Sequence, residues 1–136
     1  KSTFGIIPAL VGLITAVSML KASGALDMFT AFIAPLAEKI GLPPQMVPLM
    51  LLRPVSGSGS LALVDQIFSS SGVDSFAGRV AAVMMGSTET TFYAIAVYFG
   101  SVNIRKTRHT IPSALTADFT SVVIAVLTVR LLFGGG

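Results

Sequence analysis

Long uncharged stretches alternate along the chain with short polar interruptions, and their lengths predict the secondary structure. The first stretch, Phe4–Leu20, has seventeen uncharged residues and would extend about 26 Å as a helix. That length is close to the roughly 30 Å hydrocarbon core of a bilayer, so we predict a transmembrane helix over 4–20. The last stretch, Ile111–Phe133, predicts another transmembrane helix over 111–133, with Pro112 in its first turn.

The segment from Leu26 to Ile40 has an amphipathic pattern instead. Its charged residues and its threonine lie off a single helical stripe of apolar residues, which consists of Leu26, Phe29, Ile33, Leu36, Ala37 and Ile40. Such a stripe is typical of a helix that lies in the plane of the membrane interface. We therefore predict an interfacial helix over 26–40, ended by Gly41 and Pro43–Pro44.

The apolar segment at residues 45–68 is divided by a polar stretch, Arg53–Ser60, which contains Ser-Gly-Ser-Gly-Ser at 56–60. Its first half, Gln45–Leu52, has eight residues and would cover only about 12 Å as a helix. The two halves either turn back on each other as a re-entrant hairpin or cross the membrane once as a broken helix. Because both halves are short, we predict the hairpin.

A second interrupted segment follows at residues 76–100. An apolar half ending at Met85 is separated from apolar Phe92–Phe99 by the polar stretch Gly86–Thr91. Twenty-five residues are enough to cross a bilayer even when the middle is unwound. The pattern predicts a broken transmembrane helix over 76–100.

Composition supports the membrane prediction. Hydrophobic residues make up 53% of the chain and charged residues 11%, and the mean hydropathy is +0.85. Soluble domains carry roughly 25% charged residues, so this chain has too few to cover a surface that faces water. We predict an all-α integral membrane protein with the lipid bilayer as its surroundings.

The residue types also exclude several kinds of chemistry. Cysteine is absent and His109 is the single histidine, which leaves no ligand set for a Cys- or His-based metal site. Gly57–Gly59 lacks the Lys-Ser/Thr ending of a P-loop, and the Gly-x-Ser-x-Gly elbow is missing. We therefore predict that the protein is not an enzyme and has no catalytic residues, metal or cofactor.

Basic residues are concentrated in the loop 101–110, which contains Arg105, Lys106, Arg108 and His109. A short basic loop in a membrane protein marks the cytoplasmic side. Its expected partner is the headgroup region of the inner leaflet, with no nucleic-acid partner. We predict a multi-pass protein of the inner (cytoplasmic) membrane, with Gly134 on the outside.

The ends of the chain allow only limited expectations. The first 20 residues lack a small-x-small cleavage site, so they predict no cleavable signal peptide. The abrupt start, with one basic residue ahead of an apolar run, suggests that the N-terminus is truncated. Gly134–Gly136 receive no functional assignment.

The two polar interruptions are the candidate binding site. In hydrocarbon every backbone N–H and C=O needs a partner, so unwound backbone persists only inside protein or beside a polar cavity. Gly/Pro-interrupted hydrophobic segments are typical of binding sites at the midplane of transporters. The candidate solute- or ion-binding residues are Ser56, Gly57, Ser58, Gly59, Ser60, Gly86, Ser87, Thr88, Glu89, Thr90 and Thr91.

The charged residues near these interruptions have structural alternatives. Glu89 either binds a solute or ion, as an intramembrane carboxylate suggests, or forms an ion pair with Arg53 or Arg79. An arginine before a proline can also satisfy carbonyls freed at a hairpin tip, so Arg53 is a structural candidate. Arg79 and Asp118 are further candidates for structural ion pairs. The Ser-Gly-Ser-Gly-Ser stretch could instead be a plain loop outside the membrane.

An ordered series of motifs resembles the spore maturation protein B family, which belongs to the nucleoside recognition, or Gate-domain, group. The resemblance runs from about Leu42 to Phe133 and is less distinctive before residue 40. Its motifs are RPVSGSGS at 53–60, DSFAGR at 74–79, MGSTETTFY at 85–93 and VYFGSV at 97–102.

The resemblance implies a single Gate-type membrane domain over 1–136. It also implies half of an inverted-repeat, transporter-like fold, made of an interfacial helix, a re-entrant hairpin, an unwound helix and a further span. Members of the family act beside a sister protein, spore maturation protein A, and in spore formers the pair is associated with spore-core dehydration.

Two functional hypotheses follow. The first is a membrane transport or permeation subunit that moves or binds a small polar solute or ion, completed by a spore maturation protein A-like sister subunit or by a second copy of the chain. The alternative is a structural or regulatory membrane subunit that holds a partner and moves nothing.

Overall fold

The computed structural model describes residues 7–8, 11–12, 15–16, 18–20 and 22–134. The predicted transmembrane helix over 4–20 falls largely outside the described residues, and those within it that are described are helical. No strand occurs in the described part of the chain, which confirms the predicted all-α class. The helices are α1 (Ala25–Lys39), a 3-10 turn (Pro44–Met46), α2 (Val47–Leu52), α3 (Gly57–Ser71), α4 (Phe76–Ser87), α5 (Thr91–Ser101) and α6 (Thr110–Phe133).

Helix α1 follows Gly24, whose φ of 72° suits the left-handed backbone at its start. The helix packs against α2 through Ala37, which is buried. Much of the predicted apolar stripe stays exposed, and Phe32 beside it is 81% exposed. An exposed apolar helix face suits contact with lipid. The depth of α1 in a membrane stays a prediction.

Helices α2 and α3 form a hairpin. They pack together, and the Ser71 hydroxyl donates to Gln45 Oε1 at 3.3 Å, so the two ends of the hairpin lie side by side. The connection is the four residues 53–56, shorter than the predicted polar stretch 53–60. The re-entrant placement of this hairpin in a membrane stays a prediction.

The difference in length arises because Ser56 caps α3. Its hydroxyl accepts from the backbone N–H of Gly59 at 3.1 Å, and its carbonyl accepts from the Ser60 hydroxyl at 2.7 Å. A serine at this position satisfies N–H groups that a helix leaves free in its first turn. Residues 57–60 are therefore the first turn of α3, and their prediction as part of a loop is wrong.

Helices α4 and α5 are two parts of one interrupted segment. They are separated by Thr88–Thr90 alone, so the break is narrower than the predicted 86–91. Gly86 and Ser87 lie in the last turn of α4, and Thr91 begins α5. Among the described residues, two helical stretches are long and apolar enough to cross a membrane: Phe76–Ser101 and Thr110–Phe133.

The core lies where α4 meets the hairpin and α6. Helix α4 packs against both α3 and α6, which places it at the centre of the bundle. Fully buried side chains of this core include Met46, Val47 and Leu49 at the start of the hairpin, Ser60 in α3, Val80, Ala81 and Met84 in α4, and Val126 and Val129 in α6. Gly78 permits the close approach of α4 to the α3–α4 turn, since a Cβ there would collide with the Gly72 and Val73 carbonyls.

Candidate functional site

The two breaks meet through the side chain of Arg53, which lies in the connection between α2 and α3. Its Nε donates to Thr88 Oγ1 at 2.9 Å, and its Nη2 donates to the carbonyl oxygens of Met85, at 3.2 Å, and Thr88. A backbone contact joins the breaks as well, because Phe92 N donates to Pro54 O at 2.9 Å. The interruptions are thus one structural unit.

These contacts satisfy the backbone groups that the second break frees. A helix leaves its last carbonyls and its first N–H groups without intrahelical partners. Arg53 donates to two carbonyl groups at the end of α4, and the Pro54 carbonyl accepts from a backbone N–H at the start of α5. Carbonyls are the partners that the sequence predicts for Arg53, but they belong to the second break and not to its own hairpin tip.

Hydroxyl groups tie the second break to α6. Thr91 Oγ1 donates to Asp118 Oδ2 at 2.6 Å, and the hydroxyls of Ser87 and Ser121 lie 2.9 Å apart. Throughout the described residues, every buried side-chain nitrogen or oxygen has a hydrogen-bond partner. The breaks are therefore internally well satisfied, although the chain is interrupted twice.

The structural ion-pair candidates take different roles. Arg79 lies 3.6 Å from Asp74, which is 97% exposed, and its guanidinium also stacks on the Phe133 ring at 4.3 Å. Within the part of the chain that is described, Arg53 and Asp118 form no ion pair within 4 Å. Their partners are carbonyl and hydroxyl groups instead.

Glu89 is exposed, and its carboxylate turns back on the break. Its Oε1 accepts from Thr90 N at 3.1 Å and from the Thr90 hydroxyl at 3.3 Å. The residue lies close to the middle of the candidate span Phe76–Ser101. It forms no ion pair within 4 Å with Arg53 or Arg79. A carboxylate at that position needs water, a cation or a polar partner.

The remaining predicted site residues divide into two groups. Gly57 touches the second break, since a Cβ at Gly57 would lie 3.3 Å from Thr90 Cγ2. Ser58 is exposed in the first turn of α3, whereas Gly59 and Ser60 are buried in that turn. The structure therefore brings only part of the predicted set together. Ser56, Gly59 and Ser60 form the capped first turn of α3. Gly86 and Ser87 are exposed on α4.

A pocket of about 150 Å³ adjoins the joined breaks. It lies between α2, α4 and α6, and its lining residues are Met50, Arg53, Pro54, Met84, Thr88, Leu115, Asp118, Phe119 and Val122. The sequence predicts Asp118 as a structural ion-pair residue and not as a binding residue. The available signal was an acidic residue inside an apolar span. No cluster of three or more His, Cys, Asp or Glu side chains is found among the residues with described positions.

Comparison with known proteins gives the family. The Gate family, described as nucleoside recognition, matches residues 3–105. That match begins well before Leu42, so the N-terminal segment also belongs to the domain. Spore maturation protein B of Bacillus subtilis (strain 168) is 44% identical over 131 residues, which is 96% of this chain and 74% of that protein. No solved structure matches the chain. The chain therefore belongs to the Gate, or nucleoside recognition, family of membrane proteins, and within it to the spore maturation protein B family.

Proposed function

We propose that the chain is a membrane transport or permeation subunit that binds a small polar solute or ion beside its two joined breaks. The observation that carries the proposal is the contact of Arg53, in one break, with the carbonyl groups of the other. Unwound backbone in a membrane segment is tolerated where it is held by protein and borders a polar cavity. The joined breaks border a pocket that is mostly apolar but carries three polar side chains in its wall, Arg53, Thr88 and Asp118.

A second subunit completes the site in this proposal. Glu89 is exposed near the middle of a candidate span, and a charged side chain at the centre of a membrane helix is unfavourable unless water or a polar partner reaches it. Cover by a partner, or by a water-filled cavity shared with one, removes that cost. We propose a spore maturation protein A-like sister subunit or a second copy, related to this chain as halves of an inverted repeat.

The membrane placement completes the proposal. The loop 101–110 faces the cytoplasm of an inner membrane, and in a spore former the activity contributes to spore-core dehydration. Because the chain has no cysteine, an Asn103→Cys variant provides a single reporter for orientation. Labelling of that cysteine by an impermeant thiol reagent from the outer face would overturn this placement.

Flux through reconstituted vesicles tests the function. The chain would be incorporated with its co-purified partner, and entry of uridine, alanine and protons would be measured as three separate probes. We expect Glu89→Gln and Ser58→Ala to reduce flux, while the matched control Asp74→Asn, at an exposed carboxylate outside the breaks, leaves it unchanged. Equal flux of a confirmed probe in all variants would show that the site is misplaced.

The structural or regulatory subunit stays the second candidate. The observation that favours it is that the polar side chains of the breaks find partners within the chain itself. Under this alternative the breaks serve helix packing, and small residues such as Gly57, which lies against the Thr90 methyl group, allow a close fit. It predicts a stable complex in which partner side chains seal the breaks and no probe crosses the membrane.

A further inference from the structure

The pocket beside the breaks has two charged groups of opposite sign in its wall, Arg53 and Asp118. Arg53 is only 6% exposed, so its guanidinium is held inside the protein. Their charged atoms lie farther apart than the 4 Å of an ion pair. The pocket therefore separates a fixed cation from a fixed anion.

Each charged group retains unused hydrogen-bonding capacity. Arg53 donates through Nε and Nη2, and its Nη1 has no acceptor among the described residues. Asp118 accepts from Thr91 through Oδ2, and its Oδ1 has no donor among the described residues. Both residues line the pocket, so a molecule bound there can use these two groups without replacing an existing hydrogen bond.

The opposite charges select against simple ions. A lone cation beside Asp118 would be repelled by the Arg53 guanidinium, and a lone anion beside Arg53 would be repelled by the Asp118 carboxylate. A molecule with both charges can direct its anionic end to Arg53 and its cationic end to Asp118. Both contacts would then be charge-assisted hydrogen bonds, which are the stronger class.

The volume limits the size of that molecule. A cavity of about 150 Å³ holds benzene in a well-studied case, so this pocket of about 150 Å³ admits roughly six non-hydrogen atoms. Pockets for drug-sized ligands begin at about 300 Å³. The rest of the wall is mainly apolar, with Met50, Met84 and Val122 among its residues.

We propose that this pocket binds a small zwitterion, of the size of alanine or glycine, between Arg53 and Asp118. The inference rests on the proposed function and names the solute class of the site. It also assigns Asp118 a direct ligand contact, in place of the structural ion pair that the sequence predicts. Thr91 positions the Asp118 carboxylate through its 2.6 Å hydrogen bond.

Binding to the full chain, purified with its partner and placed in lipid nanodiscs, tests the inference. Isothermal titration would compare alanine with three probes that lack one or both of its charges: acetate, methylammonium and neutral acetamide. We expect alanine to bind about tenfold or more tightly than any of the three, because each loses a charge-assisted contact. Equal affinities for alanine and acetamide, or no alanine binding, would overturn the proposal.

Three variants locate the binding. Asp118→Asn should weaken alanine binding about tenfold or more, and Leu115→Trp should abolish it by filling the pocket. Asp74→Asn is the matched control and should bind alanine like the parent chain. Circular dichroism would establish that each variant is folded. Alanine binding that survives both pocket changes in folded protein would place the solute elsewhere and contradict the inference.

This experiment is independent of the flux measurement. Alanine binding without flux of any probe would support the pocket and contradict the transport proposal. Flux of uridine or protons without alanine binding would support transport and contradict the zwitterion pocket.

Discussion

Replacing Arg53 by methionine should destabilise the protein strongly, because one buried side chain joins the two breaks. The change removes three hydrogen bonds and leaves the carbonyls of Met85 and Thr88 without their donor. An unsatisfied buried polar group costs about 1–3 kcal/mol, so the two carbonyls together predict a loss of about 2–6 kcal/mol. Arg53→Lys should recover part of this loss, since lysine keeps the charge but lacks the planar guanidinium.

The matched control is Arg79→Met. Arg79 pairs with an exposed carboxylate at 3.6 Å and stacks on Phe133 near the end of α6. Exposed ion pairs contribute about 0–1 kcal/mol and exposed cation–π contacts about 0.5–1 kcal/mol. The control should therefore lose much less stability than the Arg53 variant.

Unfolding in mixed micelles measures both losses. The mole fraction of a denaturing detergent is raised, and helix content is followed by circular dichroism. If Arg53→Met loses no more free energy of unfolding than Arg79→Met, the Arg53 contacts do not hold the two breaks together. That result would refute the description of the breaks as one structural unit.

Two further predictions use the same measurement. Gly78→Ala should cost about 1–3 kcal/mol as an overpacked core site, because a Cβ at this position meets the backbone carbonyl of Val73, whereas Gly86→Ala has open space and should not show this loss. A Gly78 variant as stable as the Gly86 variant would contradict that close approach. Ser56→Ala should cost about 0.5–2 kcal/mol through loss of the α3 cap, and exposed Ser58→Ala should cost less. Equal stability of the two serine variants would show that Ser56 does not cap the helix.

The sequence predicts the helical elements well because their signals are local. Apolar runs of membrane-crossing length, and their interruption by Gly and Ser, can be recognised without knowledge of tertiary contacts. The span 110–133 and the interrupted span 76–101 accordingly lie within a residue or so of the predicted ranges.

The first turn of α3 was predicted wrongly for a physical reason. Gly and Ser disfavour helix interiors, so Ser-Gly-Ser-Gly-Ser predicts a loop. Ser56 overrides that preference by accepting from Gly59 N, and burial of Ser60 in the packed turn adds to the effect. A serine before the apolar run can cap a helix, but the glycine and serine content of residues 56–60 favours a loop more strongly.

The partners of the charged residues could not be predicted. Arg53 reaches carbonyl groups more than thirty residues away, and Asp118 accepts from Thr91, 27 residues earlier. Such pairs depend on how the helices pack, which a single sequence does not specify. The sequence predicts polar candidate residues in both breaks, whereas the pocket that Arg53 and Asp118 share follows only from the helix packing.

The central proposal, that water reaches a solute pathway beside the joined breaks, is tested most directly by chemical accessibility. The chain contains no cysteine, so Glu89→Cys and Ser58→Cys each introduce one thiol. Leu127→Cys, at an apolar side chain that is 50% exposed within the last span, is the lipid-facing control. Each variant would be treated with a water-soluble thiol reagent in membranes that contain the partner. The account predicts that the thiols at 58 and 89 react while the thiol at 127 does not. Unreactive thiols at both break positions in the assembled complex would contradict it.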